Sequence, residues 1–244
     1  MTTHNSMLID GTKVSGTGES FSVINPATEE VICQCDMAST EQLDQAVAAA
    51  KKAFPAWSQT SDAERSRLMH QIADRMEANA DELATIIVQE QGKPLALAQL
   101  EVGAAVGWTR YNADLEIPEQ VFEDSDSRRI SGHRKPLGVV ASITPWNWPL
   151  MIAIWHIMPA LRTGNTVISK PSGMTPLNTL RLVEIINDVL PKGVVNSVLG
   201  EAEIGNAISA HTGINKVIFT GSTPTGQRII ANAANTLKRL TLEL

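Results

Sequence analysis

The sequence predicts an α/β protein with a helical N-terminal region, a five-stranded parallel doubly wound sheet after it, and a protruding hairpin arm between the two. Three observations carry that expectation. From Leu137 onward, short apolar β-branched runs alternate with longer segments of helical period, the pattern of strands joined by helical crossovers. Ahead of Glu119, apolar residues recur at helical spacing over several long stretches. Residues 119–136, "EQVFEDSDSRRISGHRKP", are charged and rich in turn formers, as an exposed ribbon is.

The N-terminal elements come first. "MLIDGTKV" and "ESFSVINPATEEVICQC" look like short strands around turns. "STEQLDQAVAAAKKAF" starts with a Ser39 or Thr40 cap and places Leu43, Val47 and Ala50 on one helical face. "SDAERSRLMHQIADRMEANADELATIIVQEQGKP" predicts two helices, the first capped near Ser61 and the second closed by Gly92 and Pro94. "LALAQLEVGAAVGWTRYNADL" is Ala-rich and predicts a long buried helix. In the arm, Arg128, Arg129, His133, Arg134 and Lys135 follow four acids, so the ribbon is expected to balance its own charges.

Beyond the arm, "LGVVASITP", "NTVISKPS", "VVNSVLG", "KVIFT" and "LKRLTLEL" are the five expected strands, the last of them buried. Between them lie "PLMIAIWHIMPALRTG", then "TPLNTLRLVEIINDVLPKG" with a Thr175 cap and Pro176 at its first position, then "EAEIGNAISAH" and "PTGQRIIANAAN". The expected division is a helical part over 1–118, the hairpin over 119–136 and the sheet over 137–244.

Composition narrows the function. Hydrophobic residues make up 43% and charged residues 19%, enough for a sizeable core and against disorder. A net charge of -6 without a long basic stripe argues against nucleic acid as the main partner. The opening "MTTHNSMLIDGTK" lacks a signal-peptide pattern, and the longest apolar stretch, Trp148 to Leu161, falls short of the ~20 residues of a membrane span. A cytoplasmic protein with no membrane partner is expected. Cys33 and Cys35 alternate along one strand, so their thiols point the same way. No His/Cys cluster nearby completes a metal site, and two reduced thiols are expected.

Ligands of such sheets gather at the carboxyl ends of the strands. Those ends are "ITPWN" (Ile143 to Asn147), "KPSG" (Lys170 to Gly173), "LGEAE", "TGSTPTG" (Thr220 to Gly226) and Glu243. "FTGSTPTG" is the phosphate candidate: Gly221 admits close backbone approach, and Pro224 suits a helix start whose free N–H groups favour an anion. An ordinary capped turn is the competing reading of the same residues. Lys170 either meets a ribose or stands as a surface lysine.

Taken in order, "SITPWNWPL", "GNTVISKPSGMTPL", "LPKGVVNSVLG", "HTGINKVIFTGSTPTG" and "LTLEL" resemble successive segments of the NAD(P)-dependent aldehyde dehydrogenase superfamily. "NPATEE", "AFPAWS" and "EQGKPLALA" fit its N-terminal region, so the resemblance spans nearly the whole chain. It implies a Rossmann-like cofactor-binding half of a homo-oligomeric enzyme, with the hairpin as the oligomerisation arm. It also implies the chemistry: a cysteine thiolate attacks an aldehyde, hydride passes to the nicotinamide of NAD or NADP, and water releases the acid.

Carried over by position, Asn147 is the oxyanion donor and Glu243 the base, against readings as a turn former and a rim salt-bridge partner. Cofactor contacts are implied for Ile143, Thr144, Pro145, Trp146, Lys170, Ser172, Gly173, Gly221, Ser222 and Gly226. Trp148 is expected in the core. Many NAD-preferring members carry Glu three residues after the lysine; Gly173 here leaves NADP open. The family's nucleophilic cysteine lies downstream of the "LEL" glutamate, so the catalytic domain is expected to be absent and the chain inactive alone. The alternative is a non-catalytic NAD(P)-binding or assembly protein of the same fold.

Overall fold

The computed structural model describes residues 4–244, so the first three residues of the polar opening stretch lie outside the described residues. Two small hairpins begin it: β1 (Met7–Ile9) with β2 (Thr12–Val14), and β3 (Ser20–Ile24) with β4 (Val31–Asp36). Four helices follow: α1 (Thr40–Gln59), α2 (Asp62–Ala78), α3 (Ala80–Gln91) and α4 (Leu95–Asp114). Ser39 Oγ accepts from Gln42 N in a reciprocal capping box, Ser61 Oγ accepts from Glu64 N, and Gly92 closes α3 in the left-handed conformation. These are the stops and starts that the sequence announces.

The arm is an antiparallel pair, β5 (Gln120–Asp124) and β6 (Arg129–Gly132), which among the described residues form a two-stranded sheet of their own. Its charges are met within the ribbon: Arg128 pairs with Glu123, and Arg129 with Glu119 and Asp124. Then come β7 (Val139–Ile143), α5 (Pro149–Arg162), β8 (Thr166–Lys170), α6 (Leu177–Asn187), β9 (Val195–Ser197), α7 (Ala202–Ala210), β10 (Lys216–Thr220), α8 (Thr223–Ala233) and β11 (Arg239–Glu243). The five strands pair in parallel in the order β11-β10-β7-β8-β9. The expected doubly wound sheet is present, with β7 at its centre.

Strand alternation divides the core in two. Val140, Val167 and Val195 face a cluster that includes Leu68, Met76, Ile87, Val102, Ile154 and Leu182 from α2 to α6. Val139, Ala141, Ile143, Ile168, Val217 and Phe219 face the other cluster, with Leu43 and Val47 of α1, Ile204 and Ile208 of α7 and Ile229 of α8. Full burial of each such side chain is worth about 1.5–3 kcal/mol relative to exposure. Both faces of the sheet are covered, so the edges of the strands and their carboxyl ends are the places left for a ligand.

Four details differ from the sequence reading. α4 is only half buried: Leu97, Leu100 and Tyr111 are exposed along one side, and Leu95 is exposed at its first position. Its run of Ala and Leu has no polar face to reveal which side points outward. α6 begins at Leu177, and Thr175 does not cap it; the carboxylate of Glu90 on α3 accepts from Leu177 N and Asn178 N at 2.7 and 2.9 Å. β11 is an edge strand with alternating exposed and half-buried residues, because β10 covers only one of its sides. Trp148 is 37% exposed, held beneath the Lys93 ammonium at 4.3 Å from its ring centroid. Among the described residues, no helix is long and apolar enough to cross a membrane.

Candidate active site

The chain runs from β7 outward to β8 and β9, then crosses back to place β10 and β11 on the other side of β7. That reversal opens a crevice at the carboxyl ends of β7 and β10, the topological switch point. A cavity of about 410 Å³ lies there, lined by Pro145, Trp146, Asn147, Thr220, Gly221, Ser222, Glu243 and Leu244. Six of the twelve site residues inferred from sequence meet at this cavity. A larger cleft, about 950 Å³, lies where β10 and β11 begin at Lys216 and Arg239. Size favours that cleft, but the convergence of Asn147, Glu243 and a helix N-terminus favours the switch point.

The β10–α8 turn is built to leave donors free. Gly221 N donates to Glu243 O at 3.0 Å, which ties the turn to the end of β11. Ser222 occupies the N-cap position of α8 in extended conformation, yet its hydroxyl bonds Thr225 Oγ1 at 3.0 Å and caps nothing. The first intrahelical bond in this turn runs from Gly226 N to Ser222 O. The α8 N-terminus therefore has no side-chain cap, unlike α1 and α2, and presents its N–H groups and positive dipole to the crevice. Gly226 itself belongs to packing: a Cβ there would strike the Leu244 side chain.

The β7 end contributes differently from residue to residue. Ile143 points into the core, leaving only its backbone for a ligand. Thr144 is buried, and its hydroxyl has no hydrogen-bond partner among the described residues. Trp146 is half exposed on the rim, and Asn147 is exposed beside it. Glu243 is exposed as well, although the sequence predicts a buried strand here. It stands at the carboxyl end of the edge strand, in register with Thr220.

At the β8 end, Lys170 is buried, and its ammonium donates to Pro171 O and Gly200 O at 2.9 and 2.6 Å. Burial pushes it down to about 8, with the Glu201 carboxylate pulling the other way. Ser172 Oγ accepts from Met174 N in the following turn. Gly173 is not beside empty space, because a Cβ built on it would run into Glu201 Oε1. A carboxylate thus stands against position 173 from the β9–α7 loop.

Three further groups organise the rim, and only weak sequence signals point to them. Glu101 on α4 is fully buried; its Oε1 accepts from Leu150 N and Met151 N at 2.9 and 3.0 Å, and its Oε2 from Lys93 Nζ at 2.5 Å. Lys93 also donates to Asn147 O at 2.9 Å. The pair caps α5 and pins the backbone of Asn147 while leaving its amide side chain free. A single acid inside the apolar "LALAQLEVGAAVG" is the one signal of this. His156 on α5 is hydrogen-bonded to Ser142 Oγ at 3.0 Å and to Thr220 Oγ1 at 3.2 Å, which braces β7, α5 and β10. Burial, reinforced by the charge of Lys216, pushes it down to about 4.

Fold and crevice together define an α/β protein of the dinucleotide-binding kind. The chain belongs to the aldehyde dehydrogenase family, whose sequence model matches residues 13–244. It is 41% identical to the aldehyde dehydrogenase LUC3 of a Fusarium species over 235 residues, 96% of this chain and 50% of that protein. PnpE from Pseudomonas sp. WBC-3 superposes with a TM-score of 0.95 at 42% identity, covering 98% of this chain and 50% of that one. A betaine aldehyde dehydrogenase from Staphylococcus aureus, solved with NAD+, matches with a TM-score of 0.95 at 33% identity over 100% of this chain and 51% of that one. PnpE has also been solved with nicotinamide adenine dinucleotide. The chain spans about half the length of the curated relatives it matches.

Two measurements probe this architecture. Glu101→Ala removes the partner of a buried ammonium and the acceptor shared by two N–H groups at the α5 N-terminus, so urea unfolding should show a loss of about 3–5 kcal/mol. Adding Lys93→Met should restore part of it, because the stranded charge is gone. The second concerns acid. Folded His156 stays neutral to about pH 4, whereas the same residue in the unfolded chain takes up a proton at the usual histidine value near 6.5. The unfolded state binds more protons across that window, so the group costs stability as pH falls, about 3 kcal/mol by the bottom of it. His156→Gln should flatten the drop in unfolding free energy between neutral pH and about pH 4 by that amount.

Proposed function

We propose that this chain is the cofactor-binding part of an enzyme that oxidises an aldehyde to a carboxylic acid with NAD or NADP. The observation that carries the reading is the convergence of Asn147, Glu243 and the uncapped N-terminus of α8 on one cavity at the switch point. The residues present fit a dinucleotide. Free N–H groups at α8 suit a pyrophosphate, and the unpartnered hydroxyl of Thr144 sits at the same rim. When bound, the nicotinamide supplies the acceptor for the substrate's hydride.

The chain's own residues have distinct parts in this reading. Gly221 and Ser222 receive the pyrophosphate, and Lys170, Ser172 and Gly173 border the adenosine ribose. Ile143 acts through backbone, Thr144, Pro145 and Trp146 line the nicotinamide side, and Gly226 serves by letting α8 pack closely. Asn147 offers its amide to the developing oxyanion, a neutral donor held still by the Lys93–Glu101 clamp. Glu243 takes a proton as general base. Cys33 and Cys35 lie in β4 and line no part of the cavity, so the nucleophilic thiol comes from outside these 244 residues. The β5–β6 arm, with Val121, Phe122 and Ile130 exposed, is the surface for assembly into a homo-oligomer. Two unpaired thiols suit the cytoplasm.

Cofactor choice turns on Glu201. The sequence alone leaves position 173 without a carboxylate and NADP open, but Glu201 brings one to that place. A carboxylate there accepts hydrogen bonds from ribose hydroxyls and repels a 2′-phosphate, so NAD is the favoured cofactor. By calorimetry, Ser222→Pro should weaken binding of both nucleotides, whereas Glu201→Gln should shift the NAD/NADP affinity ratio towards NADP by roughly tenfold, about 1.4 kcal/mol. An unchanged ratio would remove Glu201 from the ribose; unchanged binding in Ser222→Pro would remove the pyrophosphate from α8.

Turnover gives the direct test. The 244-residue chain alone should form no NAD(P)H from aldehydes. A chain carrying the additional thiol-bearing segment of its relatives should, and Glu243→Gln should slow it on the order of 10²–10⁴-fold. Aldehyde oxidation by the 244-residue chain that survives Cys33→Ala and Cys35→Ala together would place the nucleophile elsewhere and overturn this assignment.

A further inference from the structure

The only two cysteines of the chain lie two residues apart in β4. Side chains at that spacing share one face of a strand, so the two thiols stand side by side. Their surroundings differ. Cys35 is 1% exposed and belongs to the core cluster under the sheet, while Cys33 is half-buried at its margin. The β3–β4 hairpin is a separate two-stranded sheet, and its register slips beside Cys33: Val23 pairs with Cys33, but Ile24 pairs with Val31. A bulge of that kind bends a strand and loosens its ladder locally.

We propose that Cys33 and Cys35 form a peroxide-sensitive dithiol, in which Cys33 is oxidised and Cys35 then captures it as an intrastrand disulfide. The asymmetry of the pair sets the order of events. Hydrogen bonding from Cys35 lowers the Cys33 thiol and favours its thiolate. The Cys35 thiol is raised by that same bond, by burial, and by the negative field of Cys33, Glu90 and Asp36, which keeps its proton in place. The thiolate is the nucleophile in such chemistry, and access by the oxidant decides which sulfur is reached.

The step balances. Cys33 thiolate attacks one oxygen of hydrogen peroxide, breaks the O–O bond and leaves hydroxide, giving a sulfenic acid. The Cys35 sulfur then displaces the sulfenic oxygen, which leaves as water with the proton released from Cys35. Two thiols and one peroxide become one disulfide and two waters. On an extended strand, positions two apart have Cα atoms roughly 6.4–6.8 Å apart, the long limit for a disulfide. Pairing with β3 is regular between the two cysteines, so closing the bridge requires β4 itself to shorten there, and the product is a strained bond that mild thiols reduce, a labile rather than a structural one.

The test uses the 244-residue chain and hydrogen peroxide, read by thiol titration and intact mass. Peroxide should take the titratable thiols from two to none, with loss of the mass of two hydrogens, and dithiothreitol should restore both. Cys33→Ser should leave Cys35 unreacted at the same dose, and Cys35→Ala should leave Cys33 trappable by dimedone as a sulfenic acid. In these single-thiol variants, Cys33 should react roughly tenfold faster than Cys35 or more. Should either substitution unfold the hairpin, peptide mapping of the oxidised parent, which should show Cys33 linked to Cys35, decides instead. Two thiols still titrating at a dose that consumes free glutathione would overturn the proposal. So would a disulfide found between chains, or Cys33 carried to sulfinic acid with Cys35 intact.

Discussion

The rim loops after β7 and β8 depend on two carboxylates buried beneath them. Glu101 on α4 and Glu90 on α3 reach across the core to the N-termini of α5 and α6, the helices that follow the β7 and β8 loops. Each replaces the local cap that its helix lacks. Burying a charge is costly unless it is paired and hydrogen-bonded. Glu101 has Lys93, and Glu90 has amide donors, including the Asn178 side chain, although burial still pushes it up to about 7. The consequence is geometric. The N-terminal helices hold the rim loops from below, and Asn147 is fixed through its backbone carbonyl rather than its side chain.

The starts of α1, α2, α5, α6 and α8 follow a division of labour. Where no ligand is expected, at α1 and α2, serines close the N-termini from within the chain. At α5 and α6 the acids come from distant helices. At α8 neither device operates, although Ser222 stands in the cap position, and the donors remain open to the crevice. A helix end left without a cap beside a cavity is the physical basis for an anion site. The same economy shows at β11, whose last residues line the cavity: Glu243 O anchors the α8 turn while its carboxylate faces solvent.

The end of β8 shows how a local gap in sequence is closed in space. Position 173 carries no side chain, yet Glu201, distant along the chain, fills the place a longer side chain would take. Lys170 responds to the same carboxylate, and its ammonium is satisfied by two backbone carbonyls rather than by solvent. The β8 end is thus a small network of Lys170, Gly173 and Glu201 in which no member acts alone.

The sequence by itself determined the layer architecture, the strand count, the capped starts of α1 and α2 and the stop of α3 at Gly92. These depend on periodicity and on side chains within a few residues, which are local properties of the chain. It also determined which residues would share a rim, because a parallel sheet brings all strand carboxyl ends together. Only the tertiary structure decided the strand order and hence the switch point, the exposed side of α4, and the edge position of β11 that leaves Glu243 in solvent. It alone decided the Glu101–Lys93 clamp, the Glu90 cap and the placement of Glu201, since each joins residues far apart in sequence. Burial and pairing of charges are set by what packs across the core, and no local pattern records that.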